Sequence, residues 1–592
     1  MKPQSIAHLF FEVCERYDKS DAIRVKRDGR YQPVSHKFFR QRVSDFGRGL
    51  MALGMAEGAH VGILSETRFE WAIADLGIIS AGGVNVPIYP TLTDDEIAWV
   101  LNNAEVTGLV LSSAEQVDKI LGVKDKLPEL RFLVVMDEDG KREGVQLMTD
   151  VEIMGSRQDN ESQFIRRWQA RKLDDLLTLI YTSGTTGHPK GVMLSHDNLI
   201  SNVLSCEPYM PYGPKDTHLS HLPLCHVLER MGGYYCMLYR GVTIAYAEDI
   251  KTVPENIREV QPTVLVSVPR LYEKIYTRVV QKGRAGGFMQ RKIFTWALEV
   301  GKQATAYFNE DKPLPGFLGK KWALADKLVF QKVKESMGGQ LRFMSSGGAP
   351  LAKEIAEFFM GMGMKLLEGY GLTETSPVLT TNRPQWSKLG TVGPPVDNVE
   401  IRIADDGEIL ARGPNIMEGY FKNPVATGKA IVDGWFHTGD IGILDDDGFL
   451  RITDRKKDIL VTSGGKNIAP QPLENSLKLS PLIEQVVVIG DRRNFITALL
   501  VPPWDNVAEW APLQGWDPDP LRLVSDVSFI EALEKEVNAQ MAGFAHFEQV
   551  KKFRILPRLL SVEAGELTPS LKVKRKVVNA NYSSVIDDMY AD

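Results

Sequence analysis

The residues between positions 181 and 196, YTSGTTGHPKGVMLSH, concentrate groups able to hold a polyphosphate. Ser183, Thr185 and Thr186 bring hydroxyls, and Lys190 brings a cation. Gly184 and Gly187 let backbone amides approach a ligand closely. An apolar run, LLTLI (176–180), reads as the strand leading into this loop, and a helical stretch starts near Asp197. The loop is not the common phosphate loop of nucleotide-hydrolysing proteins. Pro189 stands where that pattern needs glycine, and Gly191 follows the lysine.

The elements that position this loop show in the hydrophobic spacing. Residues 36–58 carry Phe39, Val43, Phe46, Leu50, Met51 and Leu53 at helical intervals, with Ser35 as N-cap and Gly54 as stop. A strand follows at 60–65, a helix at 71–82, a strand at 84–89, a helix at 94–103 and a strand at 108–113. Strand and helix alternate in this way through about 450 residues, which predicts an α/β protein with stacked, largely parallel sheets. The stretch before Asp454 is rich in glycine and aspartate and reads as a small β-rich subdomain of short antiparallel strands. Beyond it come a helix (471–478), strands at 484–491 and 497–503, and a helix near 529–541, a pattern for a small α+β domain. The charged run DRKKD (454–458) reads as the linker between a domain at 1–453 and one at 459–592.

Composition narrows the function classes. The chain has 592 residues, 70 basic against 76 acidic, and a net charge of −6. That balance argues against a nucleic-acid binder, which needs a basic face. Cys14, Cys206, Cys225 and Cys236 are too scattered for a disulfide framework or a Cys-x-x-Cys metal site, so they read as reduced thiols. The N-terminus lacks a signal-peptide pattern, and the apolar stretch at 71–92 is interrupted by Asp75, Asn85, glycines and prolines. A cytoplasmic protein is expected, with room for peripheral contact at the inner face of a membrane.

The segment YTSGTTGHPKG resembles the signature of the adenylate-forming (AMP-binding) superfamily, which includes acyl-CoA synthetases, luciferases and peptide-synthetase adenylation domains. Further segments resemble the family's motifs in the same order along nearly the whole chain. They are LPLCHVLER (222–230), SSGGAPL (345–351), EGYGLTET (368–375), HTGD (437–440), ITDRKKDILVTSGGKNIAP (452–470) and LTPSLKVKR (567–575). The resemblance implies a large N-terminal domain, a small mobile C-terminal domain, and an ATP-dependent ligation through an acyl-adenylate. It implies nucleotide contacts from Thr182, Ser183, Gly184, Thr185, Thr186, Gly187 and Lys190, with Gly348, Ala349, Tyr370 and Gly371 around the adenine. Thr373 is then expected at the α-phosphate, Glu374 and Thr185 at Mg²⁺, and Asp440 with Arg455 at the ribose. His226 is implied to position the carboxylate and Lys572 to serve adenylation, with Lys574 and Lys576 close enough to compete for that assignment. Many relatives have glycine before this lysine, where Leu571 stands here. Gly464, Gly465 and Lys466 are implied to meet CoA after the small domain turns about Lys456 or Lys457.

Three features resemble long-chain fatty acid CoA ligases within the superfamily: VPIYPTLT (86–93), SVPRLYEKIY (267–276) and a long helical stretch at 278–337. In that stretch Leu324, Leu328, Val329 and Val333 fall at helical spacing, as core residues or as cover for an acyl tunnel. Lys282, Arg284, Arg291, Lys292, Lys320 and Lys321 offer a basic face to anionic lipid. The expected substrates are fatty acid, ATP and CoA, and a homodimer is as compatible with the sequence as a monomer. The competing enzyme reading is a fatty acyl-AMP ligase that passes its product to a carrier protein. A scaffold that had lost its chemistry would lack Lys572, Glu374 or Asp440, and all three are present.

Overall fold

Local signals set the first elements. In the computed structural model, which describes residues 2–182, 188–568 and 571–591, Ser35 caps the helix His36–Ala52 by accepting from the Phe38 amide. Leu53 and Gly54 end it, the glycine at φ +92°. Thr93 and Glu96 form a reciprocal capping box at the start of Asp94–Asn103, with three acidic residues in its first turn.

Two eight-stranded sheets make up most of the large domain. In one, the strands Val84–Ile88, His60–Leu64, Val106–Leu111, Phe132–Val135 and Val145–Leu147 run parallel beside Leu176–Thr182. In the other, Lys365–Gly371, Phe343–Ser346, Val264–Ser267, Thr217–Ser220, Thr243–Tyr246 and Ile23–Arg27 run parallel. Antiparallel strands close both edges of the second sheet and one edge of the first, whose other edge is the parallel strand Val145–Leu147. A five-stranded sheet containing Glu408–Arg412, Trp435–Leu444 and Leu450–Arg455 matches the expected β-rich subdomain. The small domain builds on a three-stranded sheet, Gln485–Ile489, Ile496–Val501 and Val550–Ile555, covered by Pro470–Leu477 and Val527–Met541. The four cysteines are free and buried.

One local reading gains an element and another needs correction. The helix expected near Asp197 is present as His196–Cys206, but a further strand, Lys190–Ser195, precedes it and pairs antiparallel with Leu176–Thr182, so the loop joins two strands. GVMLS places apolar Val192 and Leu194 against the core, as a strand does. In the long helical stretch, Leu324 and Leu328 are exposed while Ala325, Phe330 and Val333 face inward. A π-helical turn at Asp326–Phe330 inserts a spacing of five between inward positions, which shifts the buried face off a simple 3.6 count.

A buried polar cluster joins the two halves of the large domain. Arg230 is 1% exposed and donates to Asp75 Oδ1 at 2.6 Å, Thr178 Oγ1 at 2.7 Å and Tyr235 OH at 3.1 Å. Tyr235 OH and Asn85 Nδ2 donate to the same Asp75 carboxylate, at 2.7 and 2.5 Å. Removing one partner of such a buried pair leaves the other charge without compensation. Arg230→Met is therefore expected to cost about 3–5 kcal/mol of stability in guanidinium unfolding, and Asp75→Asn in the same background should recover part of it.

Candidate active site

The loops at the carboxyl ends of the parallel strands border a cleft of about 2300 Å³ between the large and small domains. Thr182, Lys190, His226, Gly348, Ala349, Tyr370, Gly371, Thr373, Glu374, Asp440, Arg455, Lys457 and Lys572 all line it. Ser183, Gly184, Thr185, Thr186 and Gly187 lie outside the described residues. Lys456 and the turn of Gly464, Gly465 and Lys466 are not on the cleft wall. That turn closes a two-stranded hairpin, with Gly465 at φ +73° and open space around its Cα.

Strand pairing builds the nucleotide-side cluster. Asp440 and Arg455 are register partners in adjacent antiparallel strands, which brings Arg455 Nε to 3.3 Å from Asp440 Oδ1. The other Asp440 oxygen accepts from Tyr370 OH at 2.7 Å. The run DRKKD is thus not wholly linker, because Asp454 and Arg455 end a strand. Lys456 then bonds back to the β-rich subdomain through Asp406 at 2.6 Å and Glu408 at 3.0 Å.

Glu374 sits in a short 3₁₀ turn, and Tyr420 OH donates to its Oε1 at 2.9 Å. The Tyr420 ring in turn carries the Lys190 ammonium 4.8 Å from its centroid. Tyr420 was not singled out from the sequence, although EGYFKN contains it; its partner is 46 residues away. On either side of the phosphate loop, Trp99 stacks on His188 with ring centroids 4.8 Å apart, and Tyr181 donates to Asn103 at 2.6 Å. Both stems of the loop therefore rest on the helix Asp94–Asn103. Glu368 is a further residue that the sequence did not reveal, and burial pushes its carboxyl up to about 8.

Lys572 accepts at its carbonyl from the Thr568 amide at 2.8 Å, next to an antiparallel bridge between Leu567 and Val573. It is exposed to the cleft, yet protein surrounds it closely. That crowding, with Arg455 nearby, lowers its ammonium to about 8 against the pull of Asp440 and Glu374. His226 is lowered to about 4 by burial and then by Lys572, so it is neutral at pH 7. Its Nδ1 accepts from the Leu228 amide at 3.2 Å, leaving the Nε2 side to carry the proton. The preceding residue, Leu571, has φ +61°. Relatives with glycine there would meet this left-handed conformation without strain. The cluster offers a ring face, a carboxylate for a diol, three cations for phosphate and a carboxylate for a hard cation.

The chain belongs to the AMP-binding enzyme family. The family matches residues 10–421, and its C-terminal domain matches residues 457–592. The long-chain-fatty-acid–CoA ligase FadD15 of Mycobacterium tuberculosis is 36% identical, covering 99% of this chain and 97% of its own. The long-chain-fatty-acid–CoA ligase 1 of Homo sapiens is 32% identical, over 96% of this chain and 83% of its own. Among solved structures, the adenylation domain of a carboxylate reductase from Mycobacterium chelonae superimposes with a TM-score of 0.78 at 21% identity, covering 99% and 91% of the two chains. ATP-bound MatB from Rhodopseudomonas palustris gives 0.70 at 24%, covering 98% and 99%. These two likenesses establish the fold, a large N-terminal and a small C-terminal domain.

The backbone at Leu571 sets a local test. Leu571→Gly should hold or raise the melting temperature, because it relieves about 1–2 kcal/mol of left-handed strain against about 0.5–1 kcal/mol of glycine entropy, whereas Leu571→Val should lower it, because a β-branched residue resists the left-handed region further. Differential scanning calorimetry of the full chain distinguishes the two.

Proposed function

We infer that the protein is a long-chain fatty acid:CoA ligase. ATP and a fatty carboxylate form acyl-AMP and diphosphate, and the CoA thiol then takes the acyl group and releases AMP. The observation that carries this reading is the placement of Lys572, on the small domain, into a cleft that already holds Glu374, Asp440, Arg455 and Tyr370. Full-length relatives named as such ligases support the choice of substrate.

Attack of a carboxylate on the α-phosphate brings two anions together and builds charge on the phosphoryl oxygens. A cation held there favours the transition state over the separated reactants. We assign that role to Lys572, and the contacts around the reacting atoms to Thr373 and Lys190. Tyr370, Gly348, Ala349 and Gly371 take the adenine, and Asp440 and Arg455 take the ribose. Glu374, steadied by Tyr420, together with Thr185 suits Mg²⁺, which is commonly held by one or two protein oxygens plus phosphates. When bound, the ion neutralises charge on the polyphosphate. Neutral His226 positions the acid by hydrogen bonding without adding a competing charge. Beyond it, Met210, Leu222, Val227, Met231 and Val266 give the cleft an apolar wall suited to an acyl chain.

In this reading the domain boundary falls at 453/459, with the hinge at Lys456 or Lys457. The pose described is the one for adenylation. Turning the small domain withdraws Lys572 and brings Gly464, Gly465 and Lys466 to the cleft for CoA. Exposed Phe317, Leu324 and Leu328, interleaved with Lys320 and Lys327, suit peripheral contact with an anionic membrane. No helix among the described residues is long and apolar enough to cross one.

Diphosphate release should be measured across acids from acetate to oleate, with and without CoA. A maximum at long chains, with thioester formed only when CoA is present, is expected. Adenylate that accumulates and never reaches CoA would instead assign the protein as an acyl-AMP ligase. Lys572→Ala should abolish adenylate formation yet spare thioester formation from supplied acyl-AMP; equal loss of both steps would remove its assigned role. Because the Lys572 ammonium titrates at about 8, its charge is present below that pH and lost above it. ATP–diphosphate exchange should therefore fall as pH rises through about 8, and Lys572→Arg, always charged, should flatten that limb at a lower rate.

A further inference from the structure

The helix Pro269–Ala285 forms one wall of the cleft, and three of its basic residues form a row. Arg270, Lys274 and Arg278 are spaced four apart, which places them along one helix face, and all three line the cavity. The only acid on this helix is Glu273, on the same wall. Against the row the small domain sets a single carboxylate. Glu484 Oε1 lies 3.0 Å from Arg270 Nη2 and 3.9 Å from Lys274 Nζ. The Glu484 side chain is only 14% exposed. Nearby, Gln281 Nε2 donates to Pro481 O at 3.3 Å. Arg278 has no ion pair among the described residues.

A carboxylate withdrawn from water and shared by two cations has the form of a bound anion, here supplied by the protein. The contact joins the two domains, so it must break when they move relative to one another. The row would then be left with three cations, one acid and an open cleft, a surface that favours a phosphate-bearing ligand.

We propose that Arg270, Lys274 and Arg278 are a docking row for the phosphates of CoA, and that Glu484 occupies this row in the adenylation pose. The inference rests on the reading of the protein as a two-pose CoA ligase. It gives the order of the two steps a physical basis. While Lys572 is in the cleft, Glu484 fills the phosphate site. Once the small domain turns, Glu484 leaves with it, and CoA phosphates replace the lost carboxylate. CoA then stabilises the second pose by contacts unavailable in the first.

Lys274 and Arg278 are exposed, so their replacement by alanine should leave the fold intact, which circular dichroism can verify. The Lys274→Ala/Arg278→Ala double variant should raise the KM for CoA about tenfold more than the KM for ATP, as expected for two lost charge-assisted contacts. Comparison with 3′-dephospho-CoA identifies the phosphate. A penalty that disappears with this analogue places the 3′-phosphate on the row, and one that persists places the diphosphate there. Glu484→Gln should lower the KM for CoA while slowing ATP–diphosphate exchange, a split that simple loss of packing would not give. A double variant that forms thioester with the wild-type KM for CoA, or whose KM for ATP rises equally, overturns the proposal and leaves the ligase reading standing. A wild-type protein that makes adenylate but no CoA thioester overturns that reading, and the proposal with it.

Discussion

The rest of the large domain depends on the buried guanidinium of Arg230. It ties a helical segment of one half to Asp75 and Thr178 of the other, with Asn85 donating to the same Asp75 carboxylate, all of them buried away from solvent. Arg230 also donates its backbone amide to the carbonyl of His226. The position of the neutral imidazole at the cleft is therefore fixed from below by a charge network that tolerates little displacement. An apolar core of the same volume could be as stable. It would not hold its register as sharply, because dispersion contacts are not directional whereas an arginine fork is.

Above this foundation the cleft is organised by opposed charges. Asp440 and Glu374 come from the large domain and are each held by a tyrosine hydroxyl, which orients a carboxylate without neutralising it. The facing cations come from different places: Lys190 from the stem of the phosphate loop, Arg455 from the end of the strand Leu450–Arg455, and Lys572 from the small domain. Of these three, only Lys572 comes from the small domain, and crowding in the cleft lowers its proton affinity. The small domain also sets Glu484 against Arg270.

Much of this was legible in the residues. The helix at Asp94–Asn103 and the Ser35 cap of His36–Ala52 were both readable from local residues, and alternating strands and helices imply stacked α/β sheets. Many of the motif residues meet in one cleft because parallel sheets gather the loops at their carboxyl ends on one side, and the antiparallel strands that carry Asp440 and Arg455 border the same space. Tyr420 and Glu368 escaped notice for a different reason. A tyrosine whose partner lies 46 residues away, and a carboxyl altered only by burial, carry no local signature. The π-helical turn at Asp326–Phe330 likewise defeats a periodic count, since its extra residue shows only in backbone hydrogen bonding.

By itself the sequence determined the elements, their order, the residue types able to bind a nucleotide, and membership in an adenylate-forming family. Spacing and propensity act over a few residues and survive without tertiary context. The tertiary structure decided the rest: Lys572 lines the same cleft as Asp440 and Glu374, and Leu571 takes the left-handed turn that glycine would fill. It also decided that Glu484 meets Arg270, and that the glycine turn at 464–466 stands off the cleft in this pose. Apart from the Leu571 turn, which is local to the small domain, each of these depends on how the two domains sit, which is set by packing between segments hundreds of residues apart.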